Sequence, residues 1–150
     1  MENLGFLIMA WAVLLLLGHF QLWWTVVGFA DIETWDYFTY LYLLFGPGAL
    51  FVATSILLSA SAAEVPKRGR FERVRRKFSI ALLLVLAWSL LTKPILEGTA
   101  GADTLLNLVF SAVVGGLIFT HQRRHQVLLT VASAVVLFVG IIGYGFHIEP

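Results

Sequence analysis

LGFLIMAWAVLLLLGHFQLWWTVVGFA, residues 4–30, runs 27 residues without an acid, a lysine or an arginine. As a helix it would be about 40 Å long at 1.5 Å per residue, more than the roughly 30 Å of a bilayer's hydrocarbon core. Four more apolar stretches follow at residues 38–63, 78–96, 101–120 and 127–146. With 59% of 150 residues hydrophobic and 13% charged, the composition departs from that of a water-soluble fold toward one solvated by lipid. The expected fold is all-α: a single polytopic membrane helix bundle of about five transmembrane helices, with a basic loop at residues 64–77.

The net charge of +1 hides a sharp sorting by loop. Lys67, Arg68, Arg70, Arg73, Arg75, Arg76 and Lys77 lie between the second and third stretches, and Arg123 and Arg124 between the fourth and fifth. The loop after the first stretch carries only the acids Asp31, Glu33 and Asp36. Lysine and arginine stay on the cytoplasmic side of a membrane, so the N-terminus is expected inside and the tail HIEP outside. Lys93 is the one basic residue expected at the outer surface, where its stem can snorkel or its ammonium can meet Glu97. Met1 to Asn3 lack a basic residue and the first apolar run is too long for a cleaved signal, although Gly28, Phe29 and Ala30 include small residues. The chain has no cysteine, which excludes disulfides, thiolate nucleophiles and cysteine-ligated metal.

Within the first stretch Leu4, Leu7, Trp11, Leu14, Gly18, Gln21, Thr25 and Gly28 recur at alternating spacings of three and four, the seam a helix turns toward a neighbour. Small residues recur at Gly46, Ala49, Ala53 and Ala60, at Ser111, Ala112, Gly115 and Gly116, and at Ser133, Gly140 and Gly143. Such residues let helix backbones approach in lipid, so they are expected to pack the bundle. Pro47, in the GPG at 46–48, lacks an amide proton and crowds the preceding turn, which makes it the hinge candidate. In EVPKRGRFERVRRKF, residues 64–78, Phe71, Val74 and Phe78 share a helical face amid basic residues. That pattern predicts a cytoplasmic interfacial helix running into the third span, its seven basic residues contacting anionic lipid headgroups. The run is too short to argue for nucleic acid.

His19 and Gln21 interrupt the first stretch just before Trp23 and Trp24. With Trp35, Tyr37 and Tyr40 the tryptophans form an aromatic belt at the headgroup level. His19 lies one turn deeper, and an ionisable group at depth is a candidate site; Gln21 points nearly the opposite way around the helix. Asp103, Asn107, Ser111 and Gly115 form a polar stripe at a spacing of four, suited to hydrogen bonds between helices or to a narrow wet path. The candidate intramembrane polar site is therefore His19, Gln21, Asn107 and Ser111. Haem would need two axial ligands at matching depth, and His147 alone shares the outer side with His19. His121 and His125 have a metal-ligand spacing but no accompanying carboxylate. No nucleophile elbow, HExxH or phosphate loop occurs, so no catalytic, metal or cofactor residue is assigned.

HFQLWW, the short acidic loop after it, the Trp-x-x-Phe from Trp35 to Phe38 and the mid-span Pro47 together resemble a group of bacterial multi-pass membrane proteins of uncharacterised function, over residues 11–59. The resemblance implies a multi-pass protein of a bacterial inner membrane and transfers no catalytic residue. The resulting expectation is a non-enzymatic bundle that packs with copies of itself or with a partner membrane subunit. A small channel or transporter with a path near His19, Pro47 and Asn107 is the alternative, and a haem-binding redox subunit the third.

Overall fold

The computed structural model describes residues 4–27, 36–62, 70–96 and 103–144. They form five helices: α1 (Leu4–Val27), α2 (Tyr37–Ala62), α3 (Arg70–Leu96), α4 (Asp103–Phe119) and α5 (Arg123–Tyr144), with no strand among the described residues. Three of them carry spans long and apolar enough to cross a membrane: Phe6–Val27, Tyr37–Ala60 and Arg123–Gly143. Thr104–Phe119 in α4 is apolar but shorter.

Each helix packs on the next in sequence, α1 also packs on α5, and α1 and α3 touch across the bundle. Cross-helix contacts give the directions. Arg75, early in α3, meets the end of α4, whereas Ser89, late in α3, meets Asn107 near the start of α4, so the two are antiparallel. Tyr42 near the start of α2 likewise meets Trp88 and Thr92 late in α3. Trp11, Phe78 and Thr130, each about two turns into its own helix, come together. Thus α1, α3 and α5 begin at one end of the bundle, and α2 and α4 begin at the other.

The core is aromatic at this level. Trp11, 1% exposed, sets its ring edge-on to Phe78 at 5.0 Å, and Phe71 stacks beyond at 6.3 Å. Leu57, Val114 and Leu117, late in α2 and α4 and so toward the same end of the bundle, are also fully buried. The bundle's outside is apolar as well: Met9 is 67% exposed and Ile142 68%, with Phe138 one turn from Ile142 on α5, Phe51 on α2 and Leu84 on α3 also exposed. Helices hydrophobic all round belong in hydrocarbon rather than water.

The expectation of an interfacial helix over residues 64–78 running into the third span is corrected in its apolar face; residues 64–69 lie outside the described residues. Residues 70–78 are the first turns of α3 itself, and Phe71, Val74 and Phe78 are buried in the core. The apolar face that suggested interfacial docking is satisfied inside the bundle. The small-residue expectation holds only in part. Ala53 and Ala60 are buried and Gly46 lies against Trp88, but a Cβ placed on Gly18, Gly115, Gly140 or Gly143 would meet nothing within 4 Å. At these glycines the space a side chain would fill is open among the described residues.

Asp36 starts α2. Its Oδ1 accepts the Thr39 amide at 2.6 Å and its carbonyl accepts that of Tyr40, satisfying first-turn donors that have no partner within the helix. The Thr39 amide, helped by the Thr39 hydroxyl, holds the Asp36 carboxyl below its ordinary 3.8. A lowered carboxyl pKa stabilises the folded form above the ordinary value, and this contribution disappears as pH falls through the lower folded value. Hydrogen exchange at the Thr39 amide, measured relative to its intrinsic rate at each pH, should therefore accelerate below about pH 3.8 in the native chain. In Asp36→Ala it should already be fast at pH 7 and show no such step.

Candidate functional site

The main polar cluster lies at the end where α1, α3 and α5 begin, and it is organised by the C-terminus of α4. The last carbonyls of a helix have no donor of their own, and they are costly away from water. Here side chains serve them. Arg75 Nη1 donates to the Leu117 carbonyl and, at 3.1 Å, to that of Ile118; the Thr120 hydroxyl donates to Gly116 at 2.8 Å. Gln126 Nε2 reaches the Thr120 carbonyl at 3.4 Å. The guanidinium also places a positive charge at the negative end of the α4 dipole.

Arg75 is only 5% exposed, and its charge is matched locally. Its Nε donates to Glu72 Oε2 at 3.1 Å, one turn back on α3, while Gln126 Nε2 donates to the other carboxylate oxygen. From Gln126 the chain of bonds continues along α5: the Thr130 hydroxyl donates to the Gln126 carbonyl at 2.8 Å and accepts the Trp11 indole N–H at 3.0 Å. One connected network thus ties α1, α3, α4 and α5. Charge-assisted links of this kind contribute more than neutral ones, roughly 1.5–3 kcal/mol against about 1.

Arg75 therefore departs from the position expected of it among the headgroup-facing residues. Arg73, Arg76 and Lys77 are exposed at this end, as are Arg123, Arg124, His121 and His125; Lys67 and Arg68 lie outside the described residues, as does the Arg70 side chain. The signal for Arg75 was present in the sequence. It sits four residues after Phe71 and three before Phe78, on the face that the two phenylalanines define.

A second cluster lies toward the opposite end. The Trp88 indole donates to the Tyr42 carbonyl at 2.8 Å, one residue before the Leu43 carbonyl that Pro47 leaves without an in-helix donor. The Thr92 hydroxyl donates to the Trp88 carbonyl at 2.7 Å, and the Tyr42 hydroxyl lies 3.4 Å from both. A Cβ on Gly46 would fall 2.4 Å from the Trp88 ring, so only glycine admits the indole here. The hinge candidate Pro47 is therefore buttressed by Trp88 from the adjoining helix. Trp88 also forms one wall of an apolar cleft of about 500 Å³ between α2 and α3, lined with Phe38, Phe45 and Leu84.

The four residues of the candidate intramembrane site do not form one site. His19 and Gln21 are on α1, Asn107 and Ser111 on α4, and these two helices do not pack on each other among the described residues. His19 is half-buried and Nδ1 lies 2.7 Å from the carbonyl of Leu15, an acceptor. That bond takes Nδ1–H and leaves Nε2 with the lone pair in the neutral ring. Asn107 donates to Ser89 Oγ at 2.8 Å, and Ser111 returns its proton to the Asn107 carbonyl of its own helix. Asn107 Oδ1 and the hydroxyls of Ser79 and Ser133 are buried without a partner among the described residues. No group of three or more metal-ligating side chains occurs among the described residues, and His147 lies outside them.

No protein family, curated protein or solved structure matches the chain.

Substitutions at Arg75, Arg76 and Gly46 test these clusters. Arg75→Gln should lower resistance to chemical unfolding in detergent by roughly 1.5–3 kcal/mol, with Arg75→Lys intermediate because an ammonium cannot fork in the same way. Arg76→Gln, at the exposed neighbouring position, should change it by less than about 0.5 kcal/mol. Gly46→Ala should cost about 1–3 kcal/mol through displacement of Trp88, and a blue shift or red shift of tryptophan emission should accompany it.

Proposed function

We propose that this chain is a non-enzymatic, multi-pass membrane protein whose work is association, a helical bundle that binds copies of itself or a partner membrane subunit. Five spans are proposed, with the N-terminus cytoplasmic, the C-terminus outside and an inner bacterial membrane as the location implied by the HFQLWW resemblance. The orientation is supported by charge. Every basic residue with a described side chain lies at the end where α1, α3 and α5 begin, whereas Asp36 and Asp103 begin α2 and α4 at the other.

The observation that carries the association reading is the set of glycines left open on α1 and α5. Gly18, Gly140 and Gly143 have free space where a Cβ would stand, on helices whose outward faces are apolar. Glycine in mid-helix is disfavoured by up to about 1 kcal/mol relative to alanine, and in lipid its usual return is the close approach of another backbone. The transport alternative draws support from the unpaired polar atoms of Asn107, Ser79 and Ser133, but the fully buried Val114 and Leu117 fill the level beneath them.

Mass measurement in detergent or nanodiscs tests the reading. The native chain should be larger than one copy or retain a co-purified subunit, and Gly140→Leu with Gly143→Leu should yield a folded single copy. If the native chain is a lone monomer and liposome flux is lost in Asn107→Leu or His19→Leu, transport replaces association. Because the chain has no cysteine, single cysteines near each end can report orientation; labelling of both from one side would reject the five-span layout.

A further inference from the structure

We infer that the first turns of α3 and α5 together form one binding surface for the headgroups of anionic phospholipids, a surface to which Arg75 does not contribute. The inference rests on the membrane reading above and specifies one of its ligands. Gln126 Nε2 donates to Glu72 Oε1, a side-chain bond that ties the start of α5 to that of α3 across the end of α4, which packs on both, although 54 residues separate the two. Around that bond the exposed cations are Arg73, Arg76 and Lys77 from α3 and Arg123 and Arg124 from α5. The only acid described at this end is Glu72, and its carboxylate is occupied by Arg75 and Gln126. Five positive side chains therefore share one end with no described carboxylate left to pair them.

Arg73, Arg123 and Arg124 lie in first turns, where they face the positive end of a helix dipole, so the helices themselves gain nothing from these three. A phosphate would offset both the side-chain charges and the two dipoles. Lipid, rather than a soluble anion, is indicated by what adjoins the cations on the same exposed stripes. Lys77 is followed by Ile80 and Leu84, and Arg124 by Leu128 and Val131, all exposed. Arg124 to Leu128 is about 6 Å of helical rise, so charge gives way to hydrocarbon-facing surface within one turn. A phospholipid has the same succession, phosphate above acyl chain. Each cation near an anionic surface adds attraction, and the guanidinium forks suit phosphate oxygens.

The full chain, reconstituted in phosphatidylcholine bilayers, should be probed with trace spin-labelled phosphatidylglycerol or phosphatidylcholine. The expected result is preferential immobilisation of the anionic probe, by about fivefold or more. The preference should shrink in Arg76→Gln/Lys77→Gln and equally in Arg123→Gln/Arg124→Gln, but persist in Arg75→Lys. Equal immobilisation of the two probes overturns the inference, as does a preference unchanged by the Arg123/Arg124 pair. Displacement by inorganic phosphate, but not by chloride at the same ionic strength, would assign the surface to a free anion and also overturn it. A chain that does not float with the vesicles rejects the membrane reading itself; one that floats without lipid preference rejects only this inference.

Discussion

The carbonyls that end α4 set the strictest requirement in the bundle. At 17 residues α4 is about 25 Å long, shorter than α3 and α5, the helices it packs on. The last acceptors of a helix have no donor within it, and those buried against other helices must take donors from protein. Arg75 meets this need because α3 begins farther out and runs past the end of α4. Its charge then requires Glu72, and the second oxygen of Glu72 takes up Gln126. Through Gln126 the start of α5 is tied to α3 by a side-chain bond, and through Thr130 the indole of Trp11 is held beside Phe78. The packing of four helices thus follows from the satisfaction of one helix end.

The opposite end is governed by backbone proximity. Pro47 interrupts the hydrogen bonding of α2, and Gly46 beside it removes the side chain that would keep α3 away. Trp88 enters that gap and bonds to the Tyr42 carbonyl. The proline and the indole act as one contact: without Gly46 the ring would not fit, and without the ring the weakened turn would lack its outside donor. This end is nevertheless less filled than the other. The last ten residues of α1 and α5 include no fully buried side chain among those described, and Gly18, Gly140 and Gly143 lie there.

These two ends suggest a division of labour in the proposed bundle. The basic end is held by a network in which charges and hydrogen bonds are mutually satisfied, so it can serve as a fixed base at the membrane surface. The other half of α1 and α5 presents apolar side chains and bare backbone to its surroundings, the surface on which association with a further helix would cost least. Exposed apolar residues alone do not distinguish lipid from protein as the covering. Glycines without intramolecular neighbours favour protein, because lipid tails gain little from the absence of a side chain.

From the sequence alone one could read the solvent, the number and approximate extent of the helices, and the end at which their cations gather. These are sums over consecutive residues: hydropathy accumulates along a helix, and charge is sorted loop by loop. The start of α3 was misread because Phe71, Val74 and Phe78 form an apolar face that fits an interfacial helix and a core helix equally well; only a neighbour chooses between them. Likewise His19, Gln21, Asn107 and Ser111 are conspicuous as polar residues in apolar runs, yet whether two such residues meet depends on which helices touch. The decisive partners of Arg75, Gln126 and Trp11 lie 42, 54 and 119 residues away. Their pairing is set by the rotation and relative depth of helices packed together, quantities that exist only once the tertiary structure has formed.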